Sequence, residues 1–178
     1  MLLLASIIFG LSVQNVEAQT KQEHVPSGET VSLLQGDSLD HFSGYKNEQV
    51  GKGWKCEKGV LSFDGSGGGD IVTKESFGDF ELTFDWRVAE GANSGVMYRV
   101  SMGDGAPYLS GPEYQILDDA KHRDGQNELT SAGSLYGLYK PAGKQLKPVG
   151  QWNKAKIVLQ GKHVEHWLNG KKVVDVQL

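Results

Sequence analysis

The chain has 178 residues, 38% of them apolar and 22% charged, and a net charge of −4. That length suits one domain with a sizeable core, and the balance excludes a disordered chain or a multi-span membrane protein. No block of Lys and Arg stands out, which excludes a nucleic-acid binder that gains affinity by neutralising phosphates. Glycine is abundant, at 24 residues, about twice its usual share. Short apolar runs broken by Gly and Asn point to a β-rich chain with many turns.

At the N-terminus, residues 2–13 are almost all apolar and carry no charge. This run is shorter than the ~20 residues a membrane-spanning helix needs. Val16-Glu17-Ala18 then places small residues at the −3 and −1 positions of a cleavage site. Residues 1–18 are therefore expected to be a signal peptide cut before Gln19. No Lys or Arg precedes the run, and no Cys follows it as in a lipoprotein. The alternative is a buried N-terminal helix. Cleavage implies a periplasmic or secreted protein with no stable membrane insertion. Residues 19–30 are polar, include Pro26 and Gly28, and read as a linker. The domain is expected over residues 31–178.

Cys56 is the single cysteine, so no internal disulfide and no thiolate zinc site can form. It is expected as a small buried residue. Strands are expected over residues 60–64, 70–73, 80–88, 95–101, 113–117, 154–160, 163–168 and 172–178. The clearest is 80–88, where Phe80, Leu82, Phe84, Trp86 and Val88 alternate with polar residues over nine positions. Gly161-Lys162 and Asn169-Gly170 are hairpin turns, because their residues tolerate positive φ. The chain should end in a three-stranded meander. Ser66-Gly67-Gly68-Gly69 is a loop, not a phosphate cradle: no helix pattern and no Lys-Ser/Thr pair follows it. So many antiparallel strands mean a sandwich or a barrel, and this size favours a sandwich with a groove on one sheet.

Chemistry can sit in three places. In Asn93-Ser94-Gly95-Val96-Met97-Tyr98-Arg99, alternation puts Asn93, Gly95, Met97 and Arg99 on one face. Arg99 is either a groove residue or an ordinary surface one. In Glu113-Tyr114-Gln115-Ile116-Leu117-Asp118, a bulge near Leu117 would bring Asp118 onto the Glu113 face. Two carboxyls would then face a groove, as glycoside cleavage requires. The other reading is a solvated strand end. His122 lies in a polar loop, as a base or a bland surface residue. His166 shares a face with Val164 and Leu168, which suggests a structural role. Trp152, Tyr136 and Tyr139 offer rings for sugar stacking or for core packing.

Several of these stretches carry a resemblance. They are Gly78-Asp79-Phe80-Glu81-Leu82 with Asp85-Trp86-Arg87, Asn93-Ser94-Gly95 to Arg99, Glu113 to Asp118, Gly150-Gln151-Trp152-Asn153, and Val164 to Gly170. In this order they resemble the 3-keto-disaccharide hydrolase domain family, long a bacterial domain of unknown function. The resemblance covers roughly residues 31–178. It implies an all-β, concanavalin A-like jelly-roll β-sandwich. It also implies cleavage of a glycosidic bond in a sugar oxidised at C3. The ketone acidifies the C2 proton, a base removes it, the C1 substituent leaves, and water adds. On this reading Arg99 is the enolate donor, Glu113 and Asp118 are base and acid, and His122 is a competing base. Asn93, Gln115, Tyr136, Trp152 and His166 are the expected substrate contacts. No metal and no cofactor is expected; calcium at Asp118 and Asp119 would lack the spacing of a calcium loop.

Two departures matter. The related laminarinase type carries Glu-x-Asp-x-(x)-Glu, whereas this chain reads Glu113-x-Gln115-x-x-Asp118, with an amide in the middle. That weighs against ordinary retaining hydrolysis. Domains of the family also continue past the Asn-Gly hairpin into a closing strand, so this chain is expected to be truncated at its C-terminus. The competing function is a non-catalytic carbohydrate-binding module on the same sandwich. The sequence leaves the oligomeric state open.

Overall fold

The computed structural model describes residues 3–5, 10–15, 28, 30–103 and 105–178. In chain order the strands are β1 (Leu3–Ala5), β2 (Gly10–Asn15), β3 (Thr30–Ser32), β4 (Phe42–Gly44), β5 (Trp54–Glu57), β6 (Val60–Phe63) and β7 (Ile71–Thr73). They continue with β8 (Phe80–Trp86), β9 (Asn93–Met97), β10 (Glu113–Leu117), β11 (Asn153–Gln160), β12 (His163–Leu168) and β13 (Lys171–Gln177). Single 3-10 turns occupy Pro107–Leu109, Arg123–Gln126 and Glu128–Thr130. Among the described residues no helix is long and apolar enough to cross a membrane.

Two antiparallel sheets form the expected jelly-roll sandwich. One runs β10-β9-β1-β7-β4, the other β13-β12-β11-β8-β2-β3, and β5 and β6 make a separate ribbon. The C-terminal meander β11-β12-β13 is as expected. Gln160 pairs with His163 across Gly161-Lys162, and Leu168 pairs with Lys171 across Asn169-Gly170. The last turn takes φ of 49° and 82°, the left-handed pair a type I′ turn needs.

The core lies between the sheets. Phe80, Leu82, Phe84 and Trp86 of β8 face it, as their alternation demands, and meet Val96, Tyr114 and Ile116 from the other sheet. Phe84 and Tyr114 pack edge to face at 5.5 Å. The polar face of β8 pairs across the outer surface of its own sheet, where Lys156 meets Glu81 at 3.2 Å. Cys56 is buried, as expected, and burial pushes its thiol pKa up.

The short strands β3, β4 and β5 were not legible, because three or four residues carry too little periodicity. The expected leader and linker fall largely outside the described residues. Within the leader, β1 pairs with β7 and β9, and β2 pairs with β8 and β3.

His166 corrects an expectation of substrate contact. It is buried between the sheets, 3.0 Å from the Tyr98 hydroxyl and 3.3 Å from the Gly133 carbonyl. Its ring packs 4.7 Å from Tyr114. Val164 and Leu168 on the same face take it into the core. Burial lowers its pKa from 6.5 to about 4. The neutral ring is therefore part of the native state, and its contribution is complete above about pH 6.5 and is lost as pH falls toward 4. Urea unfolding at pH 7 and pH 4.5 should show this loss, on the order of 3 kcal/mol at most. The loss should shrink in His166→Gln; an unchanged loss would remove His166 as its source.

Candidate active site

A cavity of about 840 Å³ opens on the outer face of the five-stranded sheet. Its floor comes from β9 and β10, and Glu113 is one of the residues lining it. The strands pair without a bulge: Glu113 faces Met97, Gln115 faces Gly95, and Leu117 faces Asn93. Alternation therefore puts Glu113 and Gln115 on the cavity side and Tyr114 and Ile116 in the core.

The Glu113 side chain leans diagonally onto Gly95. A Cβ built on Gly95 would overlap the Glu113 carboxyl oxygen and lie 2.7 Å from Cγ. Glycine at this position is a matter of space rather than of φ. The carboxyl has lost most of its water, and the negative charges of Asp70 and Asp124 oppose its own. Burial first, then those charges, raise its pKa to about 7. Asp70, at the cavity wall, is itself raised by burial.

A polar network flanks Glu113. Gln115 Nε2 donates to Asn93 Oδ1 at 3.3 Å. Asn93 Nδ2 donates to Asp124 Oδ2 at 3.3 Å and lies 3.4 Å from His122 Nε2. The Tyr136 hydroxyl donates to the same Asp124 oxygen at 3.2 Å. The Asp124 amide donates to His122 Nδ1 at 3.2 Å, which leaves the proton of a neutral ring on Nε2. The segment bearing Tyr136 is fastened to β10: Tyr136 N–H donates to the Glu113 carbonyl at 3.0 Å.

The structure thus brings Glu113, Asn93, Gln115 and Tyr136 to the cavity, with His122 one contact behind Asn93. It moves four expected residues away. With no bulge at Leu117, Asp118 falls on the core side, where its carboxyl accepts from Gly91 N–H at 2.8 Å and Ala120 N–H at 3.0 Å. Asp119 is held by Lys144 at 2.6 Å. Arg99 does not continue the β9 alternation, because its φ of 55° breaks the strand. Its guanidinium donates to the Gly161 carbonyl on the other sheet. Trp152 lies under Arg87, 4.9 Å from ring to guanidinium, away from the cavity. His166 is in the core. Asp70 and Asp124 were missed. Asp70 directly precedes a short strand and Asp124 lies in a polar 3-10 turn; their approach to Glu113 depends on strand order, and no local pattern announces that.

The charge on Glu113 should burden the fold. Its folded-state pKa lies above the ordinary 4.5, so the burden is absent below about pH 4.5 and grows as pH rises through 7. Glu113→Gln is expected to raise Tm at pH 8, with little effect at pH 4. The gain is on the order of 3 kcal/mol at most. An equal effect at both pH values would refute the assignment.

Three comparisons bear on what the arrangement is. The model of the 3-keto-alpha-glucoside-1,2-lyase-like domain matches residues 29–178. A protein of Bacteroides thetaiotaomicron named 3-keto-disaccharide hydrolase is 30% identical, over 97% of this chain and 67% of that one. A crystal structure from Parabacteroides distasonis ATCC 8503, of a protein assigned as a glycosyl hydrolase, superposes with a TM-score of 0.74. It is 32% identical and covers 83% of this chain and 72% of that one. A second, similarly assigned structure from the same strain has a TM-score of 0.67 and 30% identity, covering 81% and 70%. By matched length, shared order and fold, the chain belongs to the 3-keto-alpha-glucoside-1,2-lyase-like domain family.

Proposed function

We propose that the chain cleaves the glycosidic bond of 3-keto-glycosides by elimination followed by addition of water. The observation that carries this reading is a desolvated carboxyl, Glu113, on the cavity floor beside the Asn93–Asp124–His122–Tyr136 network. The family and the named relatives support a carbohydrate substrate.

Glu113 is the base. With a pKa near 7 it accepts a proton and can return it at neutral pH. It takes the C2 proton, which the neighbouring ketone acidifies. The electron pair forms the C1–C2 double bond, and the C1–O bond breaks toward the leaving oxygen. Asn93, with a second amide N–H beside the one given to Asp124, is the donor for the ketone oxygen as it gains charge, the part first given to Arg99, and Tyr136, whose proton goes to Asp124, is a substrate contact. His122, tied to Asp124, is the second proton carrier. The carboxyl pair expected on β10 for two-carboxyl hydrolysis does not form, since Gln115 is an amide and Asp118 faces the core.

Product release by mass spectrometry, from a 3-keto-disaccharide and its unoxidised parent, tests the reading. Release from the keto sugar alone is expected. Release from both would favour ordinary hydrolysis, and binding with release from neither would favour a sugar-binding module. Glu113→Gln should lower kcat by ~10²-fold or more with KM little changed. Gly95→Ala should cost about 10²-fold by displacing the carboxyl.

We also propose export through residues 1–18, on the apolar run and the Val16-Glu17-Ala18 pattern. Cleavage before Gln19 would remove β1 and β2 from interior positions of both sheets. The intact mass of the exported chain decides: a start at Gln19 supports export with cleavage, and a retained Met1 sinks it.

A further inference from the structure

The cavity changes character away from its floor. Next to Met97 of the floor, its wall is lined by Tyr108, Leu109, Pro112 and Leu138. Tyr108, Leu109 and Leu138 are 66%, 71% and 58% exposed. Single exposed apolar residues are ordinary, but a cluster on the rim of one cavity is a binding feature. The turn that carries Tyr108 and Leu109 is fixed. Ser110 Oγ donates to the carbonyls of Pro107 at 3.2 Å and Ser101 at 3.3 Å. Lys46 Nζ holds the Gly105 carbonyl at 2.8 Å, and the Tyr45 hydroxyl reaches Ser101 O at 3.3 Å. The side chains are thus presented on a pinned backbone.

A second sugar placed against this wall would bring several hydroxyls. Among the described residues, and apart from the phenol tips of Tyr108 and Tyr136, the side chain the wall offers them is Ser110, whose hydroxyl is already engaged. Hydroxyls that lose water without gaining a partner weaken binding. Among the described residues no Lys or Arg lines the cavity, and Asp70 and Glu113 do, so an anionic group is disfavoured too. A flat, uncharged, apolar ring meets none of these objections.

We propose that this wall is a subsite for an aromatic aglycone, so that the chain prefers 3-keto-glycosides of phenols over 3-keto-disaccharides. The inference rests on the reading of the floor as the place of glycoside cleavage. It also suits the chemistry. When the C1–O bond breaks, its electron pair stays on the leaving oxygen, which then takes up a proton. A phenol oxygen, with an ordinary pKa of about 10, carries that pair more readily than a sugar hydroxyl does. Departure then asks little of an acid, and water completes the balance by adding to the double bond.

Binding and turnover test this separately. Phenyl glucoside, methyl glucoside and cellobiose, none of which can eliminate, are titrated by calorimetry. Phenyl glucoside should bind about tenfold tighter than the other two. Tyr108→Ala and Leu138→Ala, both on exposed side chains, should each remove most of that gain. Then kcat/KM is compared for phenyl 3-keto-glucoside and 3-keto-cellobiose, with KM carrying the preference. Equal affinity for phenyl and methyl glucoside overturns the subsite, as does a phenyl advantage untouched by both variants. Turnover of 3-keto-cellobiose without any phenyl advantage sinks the subsite and keeps the glycoside reading. A phenyl advantage that both variants abolish, with no turnover of either keto sugar, keeps the subsite and sinks the glycoside reading.

Discussion

Unbroken pairing between β9 and β10 sets Glu113 across from Met97 and lays its carboxyl over Gly95. The rest of the site follows from that register. It puts Gln115 beside Gly95, within reach of Asn93, and through Asn93 it ties in Asp124, whose amide donates to His122. It sends Tyr114 and Ile116 inward, where Tyr114 meets Phe84 of the opposite sheet. A slip by one residue would exchange the two sets and leave Tyr114 in the cavity and Glu113 in the core. Core and site therefore specify each other: the apolar side of β10 holds the register on which the acidic side depends.

Burial acts with opposite effect on the two perturbed groups. In the core it keeps His166 neutral, and hydrogen-bond partners at Tyr98 and Gly133 meet both ring nitrogens. That arrangement is content with its surroundings. On the cavity floor burial works against Glu113, and the charges of Asp70 and Asp124 add to the discomfort. A fold that simply maximised stability would place an amide there. The sandwich core carries the burden, and the result is a carboxyl that exchanges a proton near neutrality.

The sandwich was legible where periodicity was long. β8, β11 and β12 alternate cleanly, and Asn169-Gly170 announces its own turn. The short strands β3, β4 and β5 leave no such trace. The same limit governs the site. Glu113, Asn93 and Gln115 follow from alternation on two strands. Asp118 misled because a bulge was invoked that the ladder does not contain. Arg99 misled because one left-handed residue cancels the alternation, and single φ values are not written in residue types other than glycine and asparagine. Asp70 and Asp124 reach Glu113 through sheet order and loop path. These are long-range properties, settled by the packing of the whole chain.

Gly95 has a use beyond this molecule. The floor holds a notch one methyl group deep, and a carboxyl fills it. Scans that trim side chains read function by subtraction, and they pass over a residue with nothing to trim. Here the informative change is an addition. In a related chain, a glycine at this register point, diagonal to a Glu two residues away on the next strand, marks a floor that can seat the base. Any larger residue there marks a chain that keeps the sandwich and must do something else with its groove.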